Sequence, residues 1–374
     1  MGMGKHALLS ASSAHRWLHC PPSARVCESF EDKGSNYAAE GTDAHTLCEH
    51  KLKTLLGIPS KDPTEDLTNY SQEMEDCADG YAAYIIELAE TAKKTCPDPL
   101  VLIEQRLDFS RYVEGGFGTG DCVIIADGVL HICDFKFGAG ILVTSENNPQ
   151  MKLYALGALE IFDGIYDIDS VSMTIYQPRR DNISTHTVFK ESLYQWAEEI
   201  LKPAAELAYA GEGSFLSGEW CQFCKAKHEC RARAEQNMEL ARFDFKLPPL
   251  LSDQEVEIIL SKVDDLVSWA SDIKEYALQS AVSGKQWDGW KLVEGRANRK
   301  YINEQVVAEV VSAAGYDPYE QKVLGLTAMT SLLGKKRFEE ILGCYIEKPQ
   351  GKPTLVPESD KRPAIHTAQN DFNE

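Results

Sequence analysis

Two aspartates and a lysine set into an apolar stretch offer the first chemistry in this chain. Residues 118–136 read GTGDCVIIADGVLHICDFK: two apolar runs joined by Asp127-Gly128, with Asp121 at the start of the first run and Asp134 and Lys136 at the end of the second. An Asp-Gly pair between such runs signals a two-residue hairpin turn. Pairing outward from Ala126 opposite Val129 puts Asp121 opposite Asp134. Opposed residues of an antiparallel pair hold their Cβ atoms about 4.5–5.5 Å apart, and Lys136, two residues on, falls on the same face. Carboxylates so close resist ionising together, and a hard divalent cation, Mg²⁺ or Mn²⁺, relieves that repulsion through oxygen ligands. Metal-assisted phosphodiester hydrolysis is a chemistry for such a site. The plainer alternative is a structural ion pair, because Ile132, Cys133, Phe135 and Phe137 mark a strand buried on both faces, where charges do not sit unpaired.

The flanking pattern predicts the elements that must position these groups. Residues 38–57 (AAEGTDAHTLCEHKLKTLLG) form a helix with Thr42 or Asp43 as N-cap, and His45 and Glu49 lie four apart on one face. Ser71 to Lys94 is a long helix with Met74, Cys77, Tyr81, Ile85 and Leu88 inward, ended by Pro97 and Pro99. Leu100 to Phe109 is a strand carrying one carboxylate, Glu104, after an apolar run. Asn148 to Phe162 is a helix with Gln150 and Tyr154 on one face. Val171–Gln177 and Ile183–Phe189 alternate as a strand pair, and Glu191 to Tyr209 is helical. Ser252 and Glu255 form a capping box for a helix running to about Ala281.

Length and composition bound the rest. The 374 residues, 43% hydrophobic, allow about two or three folded domains. The expected division is a domain at 1–236, a helical region at 237–348 and a poorly ordered tail at 349–374. No apolar run approaches the roughly 18 residues of a membrane span, and the first residues lack the apolar core of a secretory signal, so a soluble, intracellular protein is expected. A net charge of −20 argues against a protein that coats DNA through a pervasive positive field, though not against an enzyme with a local basic channel. Small basic patches stand at Arg179-Arg180 and at residues 296–300 (RANRK).

Of eleven cysteines, most read as buried hydrophobes. Cys221, Cys224 and Cys230 do not: C-x2-C-x5-C puts three thiolates on one tight loop, one ligand short of a tetrahedral site. His228 could complete a zinc site locally, or Cys20, in Trp17-Leu18-His19-Cys20-Pro21, could complete a metal site from a distance.

In order along the chain stand Gly41-Thr42-Asp43-Ala44-His45 with Glu49, then Glu104, then Gly118-Thr119-Gly120-Asp121, then Asp134-Phe135-Lys136, then Gln150 and Tyr154. This succession resembles the RecB-type branch of the PD-(D/E)XK nucleases over roughly residues 1–235. Asp134 stands where many members of the wider superfamily have Glu. The lone Cys20 with the later C-x2-C-x5-C is similar to the iron–sulfur nucleases of the AddB type and to CRISPR-associated RecB-like exonucleases. The chain also looks like phage- and prophage-encoded RecB-like proteins.

The resemblance implies an α/β restriction-endonuclease-like core, a mixed sheet flanked by helices, with a helical C-terminal extension. His45, Asp121, Asp134 and the Phe135 carbonyl would hold Mg²⁺ or Mn²⁺, with Glu104 joining through a second ion or a water. Lys136 would orient the attacking water, and Gln150 and Tyr154 would position the scissile strand and the lysine. Cys20, Cys221, Cys224 and Cys230 would ligate a [4Fe–4S] cluster, with Zn²⁺ as the alternative. The implied protein is a metal-dependent deoxyribonuclease, an exonuclease in phage-type DNA recombination, replication or end processing. DNA would be its substrate, a recombinase or helicase its partner, and the bacterial host cytoplasm its location. The rivals are a catalytically silent DNA-binding scaffold of the same fold and a zinc-stabilised module that recruits a recombinase.

Overall fold

The computed structural model describes residues 7–30, 34, 36–239, 251–293, 301–319 and 323–346. The chain forms two compact units, Met1–Gln279 and Ser280–Glu374. The first carries every residue singled out above except the 296–300 patch, which, like the tail from 349 on, lies outside the described residues.

Five strands make one mixed sheet in the order of the chain: β1 (Leu100–Asp108), β2 (Phe117–Ala126), β3 (Gly128–Phe135), β4 (Ile168–Gln177) and β5 (Asn182–Phe189). β1, β2 and β3 are antiparallel neighbours, β3 and β4 are parallel, and β5 returns antiparallel to β4. The parallel step requires a crossover, supplied by helix α5 (Pro149–Phe162), whose first turn is capped by Asn148, its side-chain oxygen accepting from the amides of Gln150 and Met151. Ala126 pairs with Val129 and Cys122 with Cys133, the register expected from the Asp-Gly turn.

Helices cover both faces of the sheet. On one side lie α3 (Asn36–Leu55) and α4 (Gln72–Ala92), packing Leu47, Leu52, Tyr81 and Ile85 against Cys122, Ile124, Cys133 and Phe135. On the other lie α1 (Ala14–His19), α2 (Ser23–Glu28), α5, α6 (Lys190–Trp196) and α7 (Lys202–Ala210), whose core joins Trp17, Met151, Leu156 and Leu201 to Val123, Ile125, Leu130 and Ile132. This is an α/β architecture with a sheet between two helical layers. A π-helical stretch, Ala197–Leu201, links α6 to α7 just before Pro203, which has no N–H to continue a regular ladder.

One expectation is corrected here. Thr42 and Asp43 do not cap α3, which already runs through them from Asn36; Thr42 Oγ1 bonds back to Ala38 O instead. Ala38, Ala39 and Glu40 are strong helix formers that carry the helix through Gly41. Asp43 turns outward to accept from the backbone and side-chain nitrogens of Asn69.

Strict alternation breaks at the place where the acidic residues sit. Cys122, Ile124 and Ala126 face α3 and α4, whereas Val123 and Ile125 face α5. By parity Gly118 and Gly120 should also face α3, yet a Cβ on Gly118 would lie 2.6 Å from the Tyr154 ring and one on Gly120 3.0 Å from Leu107, both on the α5 side. β1 does the same: Ile103 packs with the α3–α4 core and Leu107 with the α5 core. Both strands therefore turn over together, β2 at Asp121 and β1 at Glu104. Glu104 has φ of 50°, and the ladder skips it between the pairs Ile103–Cys122 and Gln105–Gly120. A non-glycine residue in this left-handed region costs about 1–3 kcal/mol and persists only where its surroundings impose it.

Beyond α8 (Arg231–Met238), α9 (Asp253–Val282) begins with the expected reciprocal Ser252–Glu255 capping box. The second unit contains the helices α10 (Glu304–Ala313), α11 (Leu326–Leu333) and α12 (Lys335–Leu342).

Candidate metal centre

α3 brings His45, β1 brings Glu104 and β2 brings Asp121 to one spot, with one ligand atom from each lying within 4.8 Å of the others. They line a small cavity of about 10 Å³ with Cys48, Glu49 and Tyr81. His45 Nδ1 lies 3.2 Å from Asp121 Oδ1, and Asp121 Oδ2 accepts from the Phe135 amide at 2.7 Å. Phe135 thus joins this group through its backbone N–H.

Asp134, at the end of β3, faces the neighbouring relay. Its Oδ2 lies 2.9 Å from Lys136 Nζ, while Oδ1 accepts from Gln150 Nε2 at 3.0 Å. Gln150 completes the chain by accepting from Lys136 Nζ at 3.2 Å and donating to Tyr154 Oη at 3.2 Å. The two opposed carboxylates are therefore divided: Asp121 belongs to the His45–Glu104 group, and Asp134 to the lysine. Asp134 is 2% exposed, and its Oδ2, for all its closeness to the ammonium, has no partner with hydrogen-bond geometry.

The electrostatics follow from burial opposed by partners. Burial pushes the Asp121 carboxyl up, but His45, the Phe135 amide and Lys136 together hold it below the usual carboxylate range. For Asp134 burial wins over Lys136, and the nearby Asp121 adds to it, so its pKa is raised. Burial and the charge of Asp121 push Glu104 up to about 7, with His45 opposing. Burial lowers the His45 imidazole, yet Asp121 outweighs it and the net shift is upward. Lys136, desolvated but beside two carboxylates, is also raised.

Arg179 does not present a free basic patch. It pairs with Glu40 and Glu73 and lies over the Phe137 ring at 4.7 Å.

A second site gathers the cysteines. Cys20 follows α1, Cys221 lies in the 3₁₀ turn Glu219–Phe223, and Cys224 and Cys230 bracket the loop before α8. All four line one cavity of about 600 Å³. No three of their sulfurs come within 4.8 Å of one another among the described residues, whereas a tetrahedral zinc–thiolate site has S···S edges of about 3.8 Å. His228 is not among the residues lining that cavity; its ring packs against Tyr276 at 4.3 Å and Phe30 at 5.9 Å.

Two features of this second site have no expectation behind them. Cys27 on α2 has its Sγ 3.6 Å from Cys224 Sγ, and Arg16 Nη1 donates to it at 3.2 Å. The hydrogen bond from Cys224, against burial and helped by Arg16, lowers the Cys27 thiol's pKa. Arg233 on α8, its side chain 1% exposed, pairs with Asp265 and Asp272 on α9, while Lys227 pairs with Asp272 at 2.7 Å and Tyr276 bonds Glu229. The cysteine loop is thereby tied to α9. The only sequence signal for Cys27 is its place one short helix beyond Cys20; nothing in the sequence pairs Arg233 with residues 30 or more positions away.

Fold and site define an α/β protein whose mixed sheet carries a His–Glu–Asp group suited to a divalent cation. The chain belongs to the family described as Protein of unknown function (DUF2800), which it matches over residues 6–363. It is also similar to a solved protein described as "Crystal structure of SSO0001", at 14% identity and a TM-score of 0.23, covering 50% of this chain and 95% of that one. No helix among the described residues is long and apolar enough to cross a membrane.

Proposed function

We propose that this protein is a metal-dependent deoxyribonuclease with a RecB-type PD-(D/E)XK core, acting on DNA ends in phage-type recombination, replication or end processing in a bacterial cytoplasm. The observation that carries the reading is the Asp134–Lys136–Gln150–Tyr154 relay set beside the His45–Glu104–Asp121 group. A purely structural ion pair needs only the first two of these residues.

The donor set fits a hard divalent ion. His45, Glu104 and Asp121 offer nitrogen and oxygen ligands, and Asp134 Oδ2 is a buried acceptor without a hydrogen bond. An ion held there would lower the pKa of a water it binds and draw charge from a phosphoryl oxygen. Lys136 Nζ, held by Asp134 and by Gln150 Oε1, is placed to donate to the attacking water or to a phosphoryl oxygen as charge develops. Gln150 fixes the lysine on one side and Tyr154 Oη on the other, so both can orient the scissile strand. Asp121 and Phe135 N–H lock the end of β3 against β2 and keep these distances fixed.

The cysteine cavity supports a [4Fe–4S] cluster on Cys20, Cys221, Cys224 and Cys230, since all four line one space of about 600 Å³ and no three of their sulfurs close to the spacing of a single zinc site. Such a closed set of four ligands is structural, joining the start of the domain to its end. A recombinase or helicase is the proposed partner.

Cleavage of end-labelled DNA with Mg²⁺ or Mn²⁺ tests the function, comparing wild type with Asp134→Ala and Lys136→Ala. Cutting by the wild type that both substitutions abolish supports it. Robust cutting by both variants refutes the site, and a folded, metal-loaded wild type that binds DNA without cutting it favours the silent scaffold.

A further inference from the structure

Tyr81 has a role that none of the motifs above assigns. It sits on α4, 2% exposed, with its ring wedged between Phe135 at 5.2 Å and Tyr176 at 5.6 Å between centroids. Its hydroxyl is buried and has no hydrogen-bond partner. A buried hydroxyl without a partner is costly, and a ring packed on both flanks cannot swing away to find one. Phenylalanine would fill the same space without that cost.

The side chain lines the small cavity already described, whose other polar walls include His45, Glu104 and Asp121. At about 10 Å³ the space is at the lower limit for a single water. A water needs two to four polar partners to be held in a protein interior, and the walls of this cavity include Tyr81, His45 and the acidic residues Glu49, Glu104 and Asp121. The orphan donor and the cavity are independent observations that meet at one place.

We propose that Tyr81 is a positioning residue of the metal centre: in the metal-free protein its hydroxyl holds one water in this cavity, and that water keeps the Glu104 and Asp121 carboxylates turned toward the place the ion takes when it displaces the water. The inference rests on the proposed divalent-metal reading of the site. Groups that orient ligands in this way change metal affinity by about 10–100-fold when removed.

The test is Tyr81→Phe in the full chain, with Mn²⁺ binding measured by isothermal titration calorimetry and confirmed by Mn²⁺ electron paramagnetic resonance, and melting measured with metal removed. The expected result is an affinity about 10–100-fold weaker with a metal-free melting temperature little changed from that of wild type, since the ring packing is kept and only the hydroxyl with the water it holds is lost. Equal Mn²⁺ affinity in the two proteins would overturn the role of Tyr81 and leave the metal centre standing. An affinity loss accompanied by a fall in metal-free melting temperature would also overturn it, by making Tyr81 a packing residue. A folded wild type that binds no Mn²⁺ would overturn the metal centre, and this inference with it.

Discussion

Lys136→Met is the sharpest perturbation of the proposed site, because it keeps the unbranched apolar stem and removes the ammonium with its charge and its hydrogen bond to Gln150. The ammonium lies 2.9 Å from Asp134 Oδ2, and the Asp134 side chain is 3% exposed. Removing one partner of a fully buried pair costs about 3–5 kcal/mol, since the other charge is left uncompensated. Two features reduce that figure. The Lys136 side chain is 27% exposed, so water screens part of the interaction, and Gln150 Nε2 still donates to Asp134 Oδ1. The expected loss at neutral pH is then about 2–3 kcal/mol. Its pH dependence follows from Asp134, whose folded pKa is already above its ordinary value of 3.8. A raised carboxyl favours the folded state while protonated and loses that advantage as pH rises through its folded pKa. Losing Lys136 raises that pKa further, so the deficit of the variant against wild type is small near pH 4 and complete once Asp134 is ionised. Urea denaturation with chelator present, followed by circular dichroism at low and neutral pH, measures this; at about 1–3 kcal/mol/M the midpoint should fall by roughly 1 M at neutral pH. A deficit below about 1 kcal/mol, or one that does not change with pH, would mean that Lys136 is effectively solvated and that the pair is not the buried relay described.

Glu104 gives the metal-free protein a second pH signature: with its carboxyl at about 7 when folded against 4.5 ordinarily, stability should fall as pH rises between these values, and Glu104→Gln should flatten that slope in thermal melts. At the cysteine cavity, anaerobically purified wild type is expected to carry acid-labile sulfide and a brown absorbance. Cys20→Ser should lose both and Cys27→Ser keep them; the opposite pattern would make Cys27 the remote ligand.

Much of the fold is legible in the sequence because short-range chemistry dictates it. Asp127-Gly128 fixes the hairpin register, Asn148 and Ser71 cap α5 and α4, and the Ser252–Glu255 box starts α9. His45, Asp121, Asp134, Lys136, Gln150 and Tyr154 do converge on one region, although as two adjoining groups rather than one. The division between them is not legible, since it depends on which of two nearby partners a buried carboxylate selects. Asp121 meets an imidazole and an amide, and Asp134 an ammonium and an amide side chain. Tyr81 reads in sequence as an inward apolar position of α4; only three-dimensional packing reveals that its hydroxyl has been left without a partner.

The turnover of β1 and β2 at Glu104 and Asp121 bears on the choice between a structural ion pair and a metal centre. An ion pair explains why Asp134 and Lys136 are buried together and nothing more. It leaves Glu104 in left-handed backbone, its carboxyl pushed up to about 7, Asp134 Oδ2 without a hydrogen bond and Tyr81 Oη without a partner. Each of these is destabilising by itself, and all lie around the same two strand positions. A divalent cation among His45, Glu104 and Asp121 would lower the Glu104 pKa, give the strained backbone a reason to aim that carboxylate inward, and offer Asp134 a second charge to share with Lys136. One ion that would relieve the Glu104 and Asp134 carboxylates and account for the Glu104 backbone favours the metal centre, since unrelated strain would have no reason to collect at a single turn of two strands.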